Sequence, residues 1–173
     1  LEKHHKKKLD LSLGRTFNLL KKLGNPQDKL KNVITVVGTN AKASMCYSFK
    51  SILNQAGYKT NLYTSPHLLS YTERYVFDDK EINEEDLIEL LTGVEKTLGD
   101  DNATLFEILT CAFLKHAENF RDNINIIEAG LFHRFDSTNV FKENLMTLIG
   151  VIHNDHFQWL ENKSIEGLSL IHI

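Results

Sequence analysis

The chain has 173 residues, with 20 Lys and Arg against 23 Asp and Glu, a formal charge of -3, 42% hydrophobic residues and 25% charged ones. That length suits one domain with a sizeable core, and the balance is ordinary for a globular protein. It gives no electrostatic footprint for nucleic acid, no apolar run approaches the ~18 residues of a membrane span, and two distant cysteines, Cys46 and Cys111, set neither a disulfide framework nor a zinc knuckle.

A reducing cytoplasm is the expected compartment. The basic cluster from His4 to Lys8 has no apolar stretch behind it, so it reads as a solvated face and not as a secretory leader. The chain opens on Leu1 and not on methionine, so its first residues are expected to be missing. Leu13, Phe17 and Leu20 recur at helical spacing and predict a helix over 12–23, stopped by Gly24 and Pro26. The β-branched run 32–37 predicts a strand buried on both faces. A helix should follow over 44–56, closed by Gly57, then a strand over 59–63 and a short third over 73–77. Asn83 followed by Asp86 is similar to a capping box and opens a helix to Leu98. A further helix is predicted over 105–119, and strands over 124–127 and 145–152. Alternating strands and helices make this an α/β domain, a mostly parallel sheet flanked by helices on both faces.

In open α/β sheets, ligands bind beyond the carboxyl ends of the strands. Four predicted strands end here in chemically capable residues: Gly38-Thr39-Asn40-Ala41-Lys42-Ala43-Ser44, then Thr64-Ser65-Pro66-His67, then Glu128, and last His153-Asn154-Asp155-His156. The first loop has the parts of a phosphate cradle. N–H groups at a helix N-terminus attract an anion, Lys42 adds a mobile charge, and the Ser44 hydroxyl suits magnesium. The strict pattern G-x-x-x-x-G-K-[ST] is not met, because Ala41 stands where glycine precedes the lysine and Ala43 intrudes before Ser44. Taken alone, the stretch fits both a phosphate cradle and an ordinary strand-to-helix turn. Glu128 fits both a magnesium ligand and the first solvent-exposed residue of a strand exit. His156 alone reads as a core or surface histidine.

Together the motifs resemble the N-terminal, ATP-binding part of the folylpolyglutamate synthases and bifunctional dihydrofolate synthases, and more distantly the Mur ligases. The matching pieces are DLSLGRTFNLLKKLGNPQDKL, VVGTNAKAS, LNQAGYKTNLYTSPHLLSYTER, TLFEILTCAFL, EAGLFHRFDSTNV and NDHFQWLENKSIE. They occur in the family's order, and GTN-x-K-x-S together with YTSPHL is more specific than either loop alone. The resemblance implies a P-loop, Mur-ligase-like ATP-binding domain over 1–173 with ATP and Mg2+ as cofactors. Lys42 is similar to the P-loop lysine, with Gly38, Thr39, Asn40, Ala41, Ala43 and Ser44 forming the nucleotide loop. Ser44, Ser65, Glu128 and His156 take the positions of metal-site residues, and Lys42, Glu128 and His156 those of catalysis. Thr104, Phe106, Arg134 and Asp136 fall where the family places part of its pterin-side pocket.

The implied reaction adds L-glutamate to a folate or dihydropteroate carboxylate through an acyl phosphate. The alternatives are a non-catalytic nucleotide-binding homologue or a Mur-type amino-acid ligase. The resemblance also implies a monomer with small-molecule substrates, and no nucleic acid or membrane as partner. Three departures stand out. The family's GTNGKGS carries alanines here, and its GLGGR becomes Gly130-Leu131-Phe132-His133-Arg134. The sequence after Glu166, GLSLIHI, differs from the family's helix and lysine segment, which assists the metal site. The glutamate-binding C-terminal domain and that lysine segment are expected to be absent. By itself the chain is therefore expected to bind nucleotide weakly and to ligate nothing.

Overall fold

The computed structural model describes residues 12–131 and 133–153. Within them the chain forms α1 (Gly14–Lys22), β1 (Val33–Val37), α2 (Lys42–Gln55), β2 (Thr60–Tyr63), β3 (Tyr75–Phe77), β4 (Lys80–Glu81), α3 (Glu84–Leu98), α4 (Leu105–Ala117), β5 (Ile124–Glu128) and β6 (Met146–Ile149). His4 to Lys8, Phe132, His156 and the stretch 167–173 lie outside the described residues.

The strands make one sheet in the order β4-β3-β2-β5-β1-β6. β2, β5, β1 and β6 run parallel, while β3 and β4 add an antiparallel rim. β1 and β5 are buried along their whole length, as expected of central parallel strands. Their alternating side chains feed two cores. On one face Val33, Tyr63 and Ile127 pack with α1, α3 and α4 around Phe113. On the other, Ile34, Val36, Leu62 and Ile126 pack against Cys46, Met45 and Phe49 of α2. Both cysteines are buried and free.

Several boundaries differ from the sequence expectations for local reasons. Asn32 takes the left-handed conformation at φ 55°, so β1 begins one residue later. α2 begins at Lys42 and not at Ser44, because Ala41 is its N-cap. Glu73 does not join the third strand. Its carboxylate accepts N–H bonds from Leu68, Leu69 and Ser70 at 2.7–2.8 Å and completes a capping box with Ser70. At Asn83 the side chain accepts the Asp86 N–H, but the return bond that would complete a box is not made. Thr104 and Glu107 do form one. Strand β4 was not expected. It pairs with β3 through Asp78 and Asp79, both at positive φ, in a two-residue hairpin turn.

The two rims of the sheet differ. β4 is exposed and charged, with Lys80 and Glu81. β6 pairs with β1 alone among the described strands, and Leu145, Met146, Ile149 and Val151 stand exposed on it and at its ends.

Candidate functional site

Because β2, β5 and β1 are parallel neighbours, their carboxyl ends meet at one edge with Glu128 on the middle strand. Its position follows from register, since Glu128 pairs with Val36 of β1 one residue before the Val37–Gly38 exit. The side chain is buried, and among the described residues its one hydrogen bond comes from the Ser65 N–H at 3.0 Å. Burial pushes the Glu128 carboxyl above the usual carboxylate range, against the opposing pull of the Ser65 N–H, Lys42 and Arg74.

The loop after β1 runs directly into α2, so the free N–H groups of the first helical turn face the sheet edge. Lys42 lies in that turn and its Nζ donates to the Gly38 carbonyl at 2.9 Å, which tethers the ammonium to the loop. Thr39 ties the loop to the exit of β6: its N–H donates to the Val151 carbonyl at 2.9 Å, and its Oγ1 accepts the His153 N–H at 3.1 Å. Ser44 is exposed in the first turn of α2. Gly38 has φ 138°, and a Cβ there would stand 3.1 Å from the Gly150 Cα. A Cβ on Gly150 would in turn meet the Met45 sulfur at 3.2 Å. Gly150 was not singled out in the sequence, although a lone glycine closing a strand is the available signal.

The substrate-side candidates form a second group around Gly130. A Cβ on that residue would lie 2.7 Å from the Phe106 ring and 2.8 Å from the Asp136 carboxylate, so the glycine is what lets the three meet. Thr104 caps the helix that carries Phe106. Asp136 spends its oxygens inside its own loop, accepting from the Leu131 N–H at 2.8 Å and the Thr138 N–H at 3.0 Å. It shapes this loop and has little acceptor capacity left for a ligand. Arg134 does not join this group: it is exposed, with its guanidinium over the Phe135 ring.

No protein-family model matches the chain. A dihydrofolate synthase/folylpolyglutamate synthase of Escherichia coli K12 is 36% identical over 160 residues, 92% of this chain and 37% of that protein. The solved structure of E. coli FolC in complex with DHPP and ADP matches with a TM-score of 0.87 and 34% identity, over 96% of this chain and 40% of that one. A bifunctional enzyme from Yersinia pestis, complexed with AMPPNP and a Mn ion, matches with a TM-score of 0.88 and 30% identity, over 99% of this chain and 41% of that one. The chain belongs to the folylpolyglutamate synthase/dihydrofolate synthase family. It spans about two fifths of the length of the solved relatives it matches.

Against this family's glycine-rich loop, the two alanines behave differently. Ala41 sits at φ 63°, ψ 10°, so it keeps a left-handed conformation that favours glycine. Ala43 lies in the first turn of α2, where alanine is at home. Both are exposed, and neither side chain is packed into the loop. The donor chemistry at the edge suits a hard cation. Ser44 and Ser65 carry hydroxyls and Glu128 a carboxylate, and magnesium is commonly held by one or two carboxylates plus substrate phosphates. Among the described residues no group of three or more His, Cys, Asp or Glu gathers as a metal cage.

Proposed function

We propose that this chain is the ATP-binding part of a magnesium-dependent, cytoplasmic ligase that joins L-glutamate to the carboxylate of a folate or dihydropteroate. The observation that carries this reading is the convergence of Lys42 and the α2 N-terminus with Glu128 and Ser65 on adjacent strand exits. Relatives solved with ADP or AMPPNP support it.

In this reading the N–H groups at the start of α2 and the Lys42 ammonium hold the β- and γ-phosphates. Ser44, Ser65 and Glu128 would hold magnesium, which supplies charge neutralisation on the transferred phosphoryl group. Phe106 and Gly130 form a wall for the pterin. The γ-phosphoryl group moves to the acceptor carboxylate, releasing ADP. The glutamate amine then attacks the acyl carbon, and phosphate leaves. Phosphorylation matters because a carboxylate is a poor electrophile. The left-handed Ala41 favours this reading over a non-catalytic homologue, since the loop keeps a conformation that favours glycine although alanine stands there.

The test is equilibrium binding of Mg–AMPPNP, followed by amide chemical shifts so that millimolar affinity is visible. Binding centred on 38–44 in the wild type, and lost in Lys42→Ala with an unchanged thermal melt, is the expected result. Equal behaviour of the two proteins would remove the phosphate-cradle reading.

A further inference from the structure

We propose that Arg74 is an anion-binding residue that receives the acceptor's carboxylate on the side of Glu128 away from Lys42. This rests on the ligase reading above. The sheet order supplies the geometry. Glu128 stands on β5, the Lys42 loop leaves the neighbour on one side, β1, and Arg74 flanks the exit of the neighbour on the other, β2. The Thr64 N–H donates to the Arg74 carbonyl at 3.2 Å, which places this backbone beside Ser65.

The guanidinium is prepared in a particular way. Its Nε donates to His67 Nδ1 at 2.9 Å, and its Cζ lies 5.2 Å from the centre of the Tyr71 ring. The His67 and Tyr71 rings pack together at 4.2 Å, so the support is itself held. Among the described residues no carboxylate lies within ion-pair distance of Arg74, and its two terminal amino groups have no acceptor. A half-buried arginine with one donor fixed and its planar fork left over matches an anion with two coplanar oxygens. A carboxylate has that shape.

Why the acceptor and not the nucleotide? The phosphate loop stands across β5, while Phe106, the pterin-side candidate, lies 6.2 Å ring to ring from Tyr63 at the end of β2. Arg74 therefore shares the acceptor's half of the edge. An acid seated there has both oxygens on the fork and keeps a second lone pair on each, one of which can attack the phosphoryl group.

The experiment compares dihydropteroate with its carboxamide, titrated into the isotopically labelled chain in the presence of saturating Mg–ADP. Arg74→Gln should weaken the acid by about tenfold or more and leave the carboxamide and Mg–ADP as in the wild type. Arg74→Lys, which keeps the charge but not the fork, should fall between. Equal losses for acid and carboxamide, or no loss for either, would overturn the proposal while leaving the ligase reading intact if Mg–ADP still binds. A wild-type chain that holds neither Mg–ADP nor acceptor would overturn both. If Arg74→Gln melts below the assay temperature, Arg74→Lys carries the decision, and acid affinity equal to wild type then rejects the proposal.

Discussion

The Ser65 N–H donates to the Glu128 carboxylate at 3.0 Å and joins the exits of two neighbouring parallel strands. That single bond does not offset the burial of the charge, so the folded state holds the Glu128 proton more tightly than the unfolded chain. Stability contributed by such a group falls as pH rises from the ordinary carboxylate pKa through the raised one. Glu128→Gln, which can still accept from Ser65, should therefore melt higher than wild type at pH 7.5. The gain should vanish near pH 3, where both forms are neutral. The same variant should lose affinity for Mg–AMPPNP. A lower melting temperature at pH 7.5 would contradict the burial argument.

Ala41 and Ala43 should respond to glycine with opposite signs. A left-handed alanine costs about 1–2 kcal/mol relative to glycine, part of which the freer unfolded glycine chain returns. Ala41→Gly should then be neutral or stabilising by about 1 kcal/mol. Ala43→Gly removes a helix former from the first turn of α2 and should cost about 0.5–1 kcal/mol. Urea melts of the two variants decide it.

The central strands were legible because isoleucine and valine dominate them between turn signals. Val33 to Val37 and Ile124 to Ile127 both became inner strands, and each buries one polar side chain, Thr35 and Asn125. The position of Glu128 was legible for the same reason, as the first carboxylate after such a run. The start of α2 was misread, since Ser44 has the cap chemistry and Ala41 does not. Ala41 takes a left-handed conformation that alanine does not itself favour, in a loop whose Gly38 packs against Gly150. Arg74 was passed over because its significance lies in partners three and seven residues away that meet only when the 65–74 segment folds back. Strand β4 was there to be found in Asp78-Asp79, a turn signal of the kind that closes hairpins.

Gly130→Ala should be costly. Its Cβ would enter the space of the Phe106 ring and the Asp136 carboxylate, and overpacking of this kind costs about 1–3 kcal/mol. The double variant Gly130→Ala with Phe106→Leu should recover part of that loss. Additive losses in a double-mutant cycle would show that the two residues do not press on each other.

Glu73 should govern the 68–70 loop without governing the fold. Its three N–H bonds hold the carboxyl below the usual range, so the loop's anchoring is present above the ordinary carboxylate pKa and is lost as pH falls through the lowered one. Glu73→Ala should speed amide hydrogen exchange at Leu68, Leu69 and Ser70. Exchange in β1 and β5 should stay as in wild type. Uniformly faster exchange would mean that the carboxylate supports the whole domain.

The contrast between the sheet's rims bears on how the chain behaves in a crowded vessel. Charges on β4 repel a second strand, whereas the stretch 145–152 carries neither charge nor proline to discourage one. During refolding, β6 is the edge where a second molecule is expected to pair, because among the described residues no strand covers its far side and Met146 and Ile149 are exposed on it. Yield should then fall steeply as protein concentration rises. A lysine at Met146, which pairs with Ile34 at the end of β6 away from the Gly38 loop, should relieve that dependence and leave the strand exits alone.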